Sequence, residues 1–281
     1  MIRSNLEKHL EIFAYVIMII VAVMMFVPAL GVLLCGRGFA GMGWKPEIRR
    51  NLRYYLLAWF SPMILSAAGM ALYFLFFPGH FDLSGEYMAY SAGEETMRQM
   101  EAQGVSYPMY VLVTFISAIT IAPLINTVVA LGEELGWRGF LYPQLKERFG
   151  KQKGWILGGI IWGVWHWPLI ALIGYEYGAA AGNPIGYAGF PVSGMITFGF
   201  VTVGWGILHD WLYEKSESIW VPSLFHGAIN AFAGFPLVLC IINTGTARLL
   251  GPAPVGVLSG LPFLLIALML YLKAGKESGA E

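Results

Sequence analysis

The chain has 281 residues, 57% hydrophobic and 12% charged, whereas an ordinary soluble domain is about half apolar and about a quarter charged. That balance excludes an ordinary soluble enzyme. Seventeen Lys and Arg offset seventeen Asp and Glu, so net charge points neither to nucleic acid nor to an acidic partner, and any functional charge is local.

Runs long enough to cross a hydrocarbon core of ~30 Å at ~1.5 Å rise per residue fall at 11–35, 54–78, 108–131, 154–173, 191–213, 218–243 and 251–272. The expected fold is all-α: one membrane domain, 1–281, built as a polytopic bundle of about seven transmembrane helices. Eight result if Pro123, Gly227, Gly234 or Pro236 divides a span. The first run is too long for a signal-peptide core and reads as a retained span. Cys35 sits at its end and Cys240 inside the sixth, without metal-ligand spacing, and both read as packing groups. Between the second and third spans, residues 79–108 carry Asp82, Glu86, Glu94, Glu95 and Glu101. That stretch is expected to be an outer loop, either plainly polar or holding a short interfacial helix on Tyr87, Met88, Tyr90, Met97 and Met100. Thirteen of the seventeen basic residues lie on alternate connections, from Arg37 to Arg53, from Arg138 to Lys153, and at Lys215, Lys273 and Lys276. Cytoplasmic loops carry such an excess, so the amino terminus is expected outside and the carboxyl terminus in the cytoplasm.

Ionisable groups at membrane depth cost several kcal/mol and are functional suspects by default. In the segment 131–140, Glu134 and Arg138 stand at i and i+4 and can neutralise each other. Glu133 lies about 100 degrees further round the helix and is left for chemistry; the plain alternative is two acids marking a helix end. His166 is flanked by Trp165 and Trp167, with Trp162 one turn before it on the same face. Such a dry wall favours the neutral ring, able to accept a proton or bind a metal. His226 and Asn230, again i and i+4, can both donate to an oxygen that turns negative, or simply join helices. Counted from the starts of their spans, His166 and His226 lie roughly 18 and 12 Å deep. Glu133 approaches from the cytoplasmic side, so three helices converge on one cavity open to the cytoplasm. His209 beside Asp210 is a minor candidate, read as solvating a helix end.

Together the segments Glu133-Glu134-Leu-Gly-Trp-Arg138, Trp162-Gly-Val-Trp-His166 and His226-Gly-Ala-Ile-Asn230 resemble the EExxxR, FxxxH and HxxxN motifs of the CAAX prenyl protease type II and bacteriocin-processing family of intramembrane glutamic endopeptidases. The order is the same, and the resemblance covers residues 120–245 as a family-like catalytic core. It implies that Glu133 with His166 activates a water and that His226 and Asn230 stabilise the oxyanion. Glu134, Arg138 and Trp162 support the site. Trp162 replaces the family's phenylalanine, which keeps an aromatic wall but changes its size, and seven spans stand against the family's eight.

The reading is therefore an intramembrane endopeptidase acting on a peptide or protein substrate among membrane lipids, without nucleic acid. Taken literally, the family name implies a prenylated carboxyl-terminal cysteine on that substrate. No cofactor is favoured, since Asn230 is a poor zinc ligand and no HExxH is present; the alternative is zinc held by Glu133, His166 and His226. A scaffold or transporter is the remaining class, and no internal repeat supports the latter.

Overall fold

The computed structural model describes residues 19–174, 177, 186–241 and 246–278. These form helices α1 (Ile19–Leu34), α2 (Ile48–Phe76), α3 (Glu86–Ala92), α4 (Glu94–Ala102), α5 (Tyr107–Ile119) and α6 (Ile121–Gly136). A π turn (Trp137–Leu141) leads into α7 (Tyr142–Phe149), α8 (Lys151–Ile173), α9 (Val192–Ser216), α10 (Trp220–Ala233), α11 (Thr246–Leu250) and α12 (Leu261–Ser278). Among the described residues the only β pairing is a single bridge, Phe81 with Cys240.

Helices α2, α8 and α9, and α10 with its 3-10 extension to Leu239, are long and apolar enough to cross a membrane; α4 with α5, bent by 95°, would make a fifth span. Side chains such as Ile64, Ile125, Leu172, Ile196, Leu265 and Met269 are each more than half exposed. In water such a belt would be a liability. The chain is an integral membrane protein.

Two expected spans are drawn differently. The run 108–131 is broken at Thr120. Pro123 offers no N–H to the carbonyl of Ile119, and its ring crowds that oxygen. The released carbonyl accepts a hydrogen bond from Trp59 Nε1 at 3.0 Å, so α2 closes the gap that the proline opens. The run 251–272 begins with turns through Gly260, where Pro252, Pro254 and glycines interrupt the backbone ladder, and its helix starts at Leu261. The first expected span is described only from residue 19, and its helix is interrupted at Met25 and Phe26, just before Pro28; residues 11–18, Arg3 and Lys8 lie outside the described residues. The connection 79–108, expected to be a polar loop or to hold one short helix, holds two short helices parted by Gly93 at φ 90°, and Asp82 accepts from the amides of Ser84, Gly85 and Glu86 that open the first.

The basic connections gather at one end of the bundle. Arg50 pairs with Glu217 at 2.6 Å, Ile219 donates its amide to Gly43, and Gln152 reaches the carbonyl of Tyr271. At the opposite end, the amide of Asp82 binds the carbonyl of Leu239, and Tyr107 Oη donates to the carbonyl of Val238.

Close approach of α8 to α9 sets the middle of the bundle, and it depends on glycines. A Cβ at Gly163 would stand 2.6 Å from Gly199 Cα and 2.7 Å from Thr202 Oγ1. Thr202 also donates to the carbonyl of Gly159 at 3.0 Å. Small residues at such crossings let backbones meet. Gly163→Ala should therefore force the helices apart, at a cost of about 1–3 kcal/mol, read as a lower midpoint of thermal unfolding in detergent; an unchanged midpoint would mean that the crossing tolerates a methyl group. Gly227 plays the same part between α10 and α6, where a Cβ would lie 2.5 Å from the amide nitrogen of Thr127.

Candidate active site

Glu133 ends α6, buried, and its Oε2 accepts two indole N–H donors: Trp137 Nε1 at 3.0 Å from the π turn and Trp162 Nε1 at 2.7 Å from α8. Hydrogen bonds to a charged acceptor are the strong ones, and both fall on one oxygen. The carboxylate is thus clamped by one edge, while Oε1 takes part in neither bond. Glu133 was expected to stand apart from the ion pair beside it, and it does; its two indole partners were not foreseen. Trp137 was legible, because 133 and 137 obey the same i, i+4 rule as 134 and 138. Trp162 was expected only as a wall, and its donor N–H is the group that a phenylalanine lacks.

Glu134 Oε1 receives Arg138 Nη1 at 3.0 Å and His226 Nδ1 at 2.8 Å, with the side chains of Glu134 and Arg138 wholly buried. The guanidinium lies over the rings of Trp162 and Tyr142, 4.4 and 4.7 Å from their centroids. His226 was not anticipated as a third member of this group. Its position has a chemical consequence. A carboxylate can only accept, so Nδ1 carries the proton, and Nε2 can donate only when the ring is imidazolium.

His166 directs Nδ1–H to the carbonyl of Trp162 at 2.8 Å, which makes Nε2 the accepting nitrogen of the neutral ring. Its ring centroid is 4.7 Å from that of Phe198 on α9, an aromatic wall with no motif to announce it. Asn230 follows His226 by one turn of α10. Glu133, Trp162, His166, His226 and Asn230 all line one cavity, together with Val21, Met24 and Met25 of α1. Convergence of the three motifs, expected from their depths, is realised in that space.

The cluster of potential metal ligands among the described residues is Glu134, His209 and His226, whose ligand atoms lie within 4.8 Å of one another. Arg138 Nη1 and His226 Nδ1 both meet Glu134 Oε1, whereas Glu134 Oε2 and His209 Nε2 have no hydrogen-bond partner.

Trp162→Phe would remove one donor from Glu133 while keeping a ring in the wall. A hydrogen bond to a charged group contributes about 1.5–3 kcal/mol, so the midpoint of thermal unfolding in detergent should fall; an unchanged midpoint would mean that the indole N–H contributes nothing to holding Glu133.

Fold and site define an all-helical membrane protein that gathers a glutamate, two histidines and an asparagine from three helices around an internal cavity. Residues 113–232 match the family model described as type II CAAX prenyl endopeptidase Rce1-like. CAAX prenyl protease 2 of Methanococcus maripaludis is 34% identical over 105 residues, a match that covers 37% of this chain and 36% of that protein. The segment carrying the site is therefore similar to type II CAAX prenyl endopeptidases, and the chain spans about a third of the length of the curated relative it matches.

Proposed function

We propose that the protein is an intramembrane endopeptidase that hydrolyses a peptide bond with a glutamate-activated water. The observation that carries this reading is the common cavity of Glu133, His166, His226 and Asn230. In the proposed reaction a water bound between Glu133 and His166 Nε2 adds its oxygen to the carbonyl carbon, and Glu133 takes its proton. The carbonyl oxygen, now negative, is met by the Nε2–H of His226 and the carboxamide of Asn230. Glu134 sustains the imidazolium this requires, as a carboxylate on Nδ1 does in a triad. Collapse breaks the C–N bond, and the proton held by Glu133 passes to the leaving amine.

The basic connections share one end of the bundle, which the charge rule assigns to the cytoplasm, and this supports the reading of a cavity reached from the cytoplasm. The bundle is proposed to complete seven or eight spans with α1, the α5–α6 run and α12, with 120–245 as its catalytic core. The substrate is a peptide or protein presented in the membrane. The name of the Methanococcus maripaludis relative, a CAAX prenyl protease, makes a prenylated carboxyl-terminal peptide the first candidate.

The test is cleavage of quenched peptides, farnesylated and unmodified, by the purified protein in detergent with and without chelator. Cleavage that survives the chelator and prefers the farnesylated peptide is the expected result. Loss on chelation would instead support zinc held by Glu133, His166 and His226; no cleavage of either peptide would move the reading to a scaffold or transporter.

A further inference from the structure

Behind the cavity, buried polar residues fall into one file that begins at Glu134. Glu134, Arg138, Tyr142 and Lys146 recur every fourth residue along α6, the π turn and α7, so they share a face of that run. The face meets α9, where Lys146 Nζ lies 2.6 Å from Asp210 Oδ2 and 2.8 Å from Glu214 Oε1. Lys151 Nζ continues the file 2.7 Å from Glu214 Oε2, with its side chain 35% exposed. The file thus starts at the His226–Glu134 contact and ends at the basic end of the bundle.

Ten buried side-chain nitrogen or oxygen atoms among the described residues have no hydrogen-bond partner, and six belong to this file: Glu134 Oε2, Arg138 Nε and Nη2, Tyr142 Oη, His209 Nε2 and Asp210 Oδ1. Buried polar atoms are paired as a rule, with protein or with water, so their concentration along one line calls for a common partner. His209 identifies it. Its Nδ1 donates to the carbonyl of Trp205 at 2.7 Å, which turns Nε2 into an acceptor held within 4.8 Å of the Glu134 carboxylate and the His226 imidazole. No direct hydrogen bond joins His209 Nε2 to either neighbour, and polar atoms so close yet unbonded suit one bridging water.

We propose that Glu134, Arg138, Tyr142, His209 and Asp210 line an internal water route joining the catalytic cluster to the Lys146–Glu214–Lys151 end of the bundle. Its role rests on the protease reading: each turnover consumes one water, and a substrate seated in the cavity closes the direct way in. The route enters from behind, at His226.

The test is hydroxyl-radical labelling by X-ray radiolysis of the purified protein in water enriched in oxygen-18, read by mass spectrometry. Radicals formed at bound waters oxidise the side chains beside them. Tyr142 and Tyr73 are equally inaccessible, and Tyr73 Oη is bonded to His80 Nδ1 at 2.8 Å. Tyr142 should take up label several-fold faster than Tyr73; equal uptake would overturn the route. Gly206→Ala would press a methyl group against the Tyr142 hydroxyl and should lower both its labelling and, several-fold, kcat on the farnesylated quenched peptide, with KM unchanged. Lost labelling with undiminished cleavage would overturn the route's part in the reaction. The labelling needs no turnover, so a protein that cleaves nothing removes the protease reading and leaves the route to be judged by Tyr142 alone.

Discussion

Glu133→Gln should reduce hydrolysis by roughly 10²- to 10⁴-fold, the usual worth of a general base, while leaving the bundle intact. Glutamine is the informative replacement. Its carbonyl oxygen can still accept from Trp137 and Trp162, which stand at 3.0 and 2.7 Å from Glu133 Oε2, so packing is kept and only the proton acceptor is lost. Alanine would strand two buried indole donors and mix chemistry with stability. The check is kcat on a cleaved peptide beside the unfolding midpoint in detergent. Retained turnover with an unchanged midpoint would remove Glu133 from the reaction.

Arg138→Met should cost about 3–5 kcal/mol of stability, the usual result of leaving one member of a buried ion pair uncompensated. Glu134 has no exposure, and Arg138 is the cation bonded to its Oε1. The loss should be largely recovered in the double variant Arg138→Met, Glu134→Gln, because the stranded charge is then removed as well. Turnover should not recover, since glutamine no longer supplies a negative charge to His226 Nδ1, 2.8 Å away. Unfolding midpoints of the two single variants and the double variant decide the first point, and peptide cleavage decides the second. A double variant no more stable than Arg138→Met would refute the pairing argument.

Much of the architecture was legible because membrane helices announce themselves by length and composition. The run read at 154–173 lies within α8, Lys151–Ile173, and the run read at 191–213 begins one residue before α9, Val192–Ser216. The break in the third run was signalled by Pro123 but not its position, which follows from the carbonyl four residues earlier and from Trp59 on another helix. Within the site, pairs that obey helical spacing could be read from the chain, as Glu134 with Arg138 was and Glu133 with Trp137 could have been. Partners from other helices could not. The bonds from Trp162 to Glu133 and from His226 to Glu134 cross 29 and 92 residues, and no periodicity encodes them. His209 was set aside as a helix end, although it is wholly buried, because its depth on α9 depends on what packs around it.

The two adjacent acids face different company. Glu133 belongs to indoles and the cavity, whereas Glu134 belongs to a guanidinium and an imidazole in the interior. Adjacency in the chain has become a partition in space, with the wide turn at Trp137–Leu141 placing both partners of the next turn within reach. Shortening either side chain to aspartate would therefore have unlike consequences: at 133 it withdraws the carboxylate from its two indole donors and the cavity, and at 134 it unfastens α10 from α6. The doublet is a junction between two rooms, and neither acid can stand in for the other.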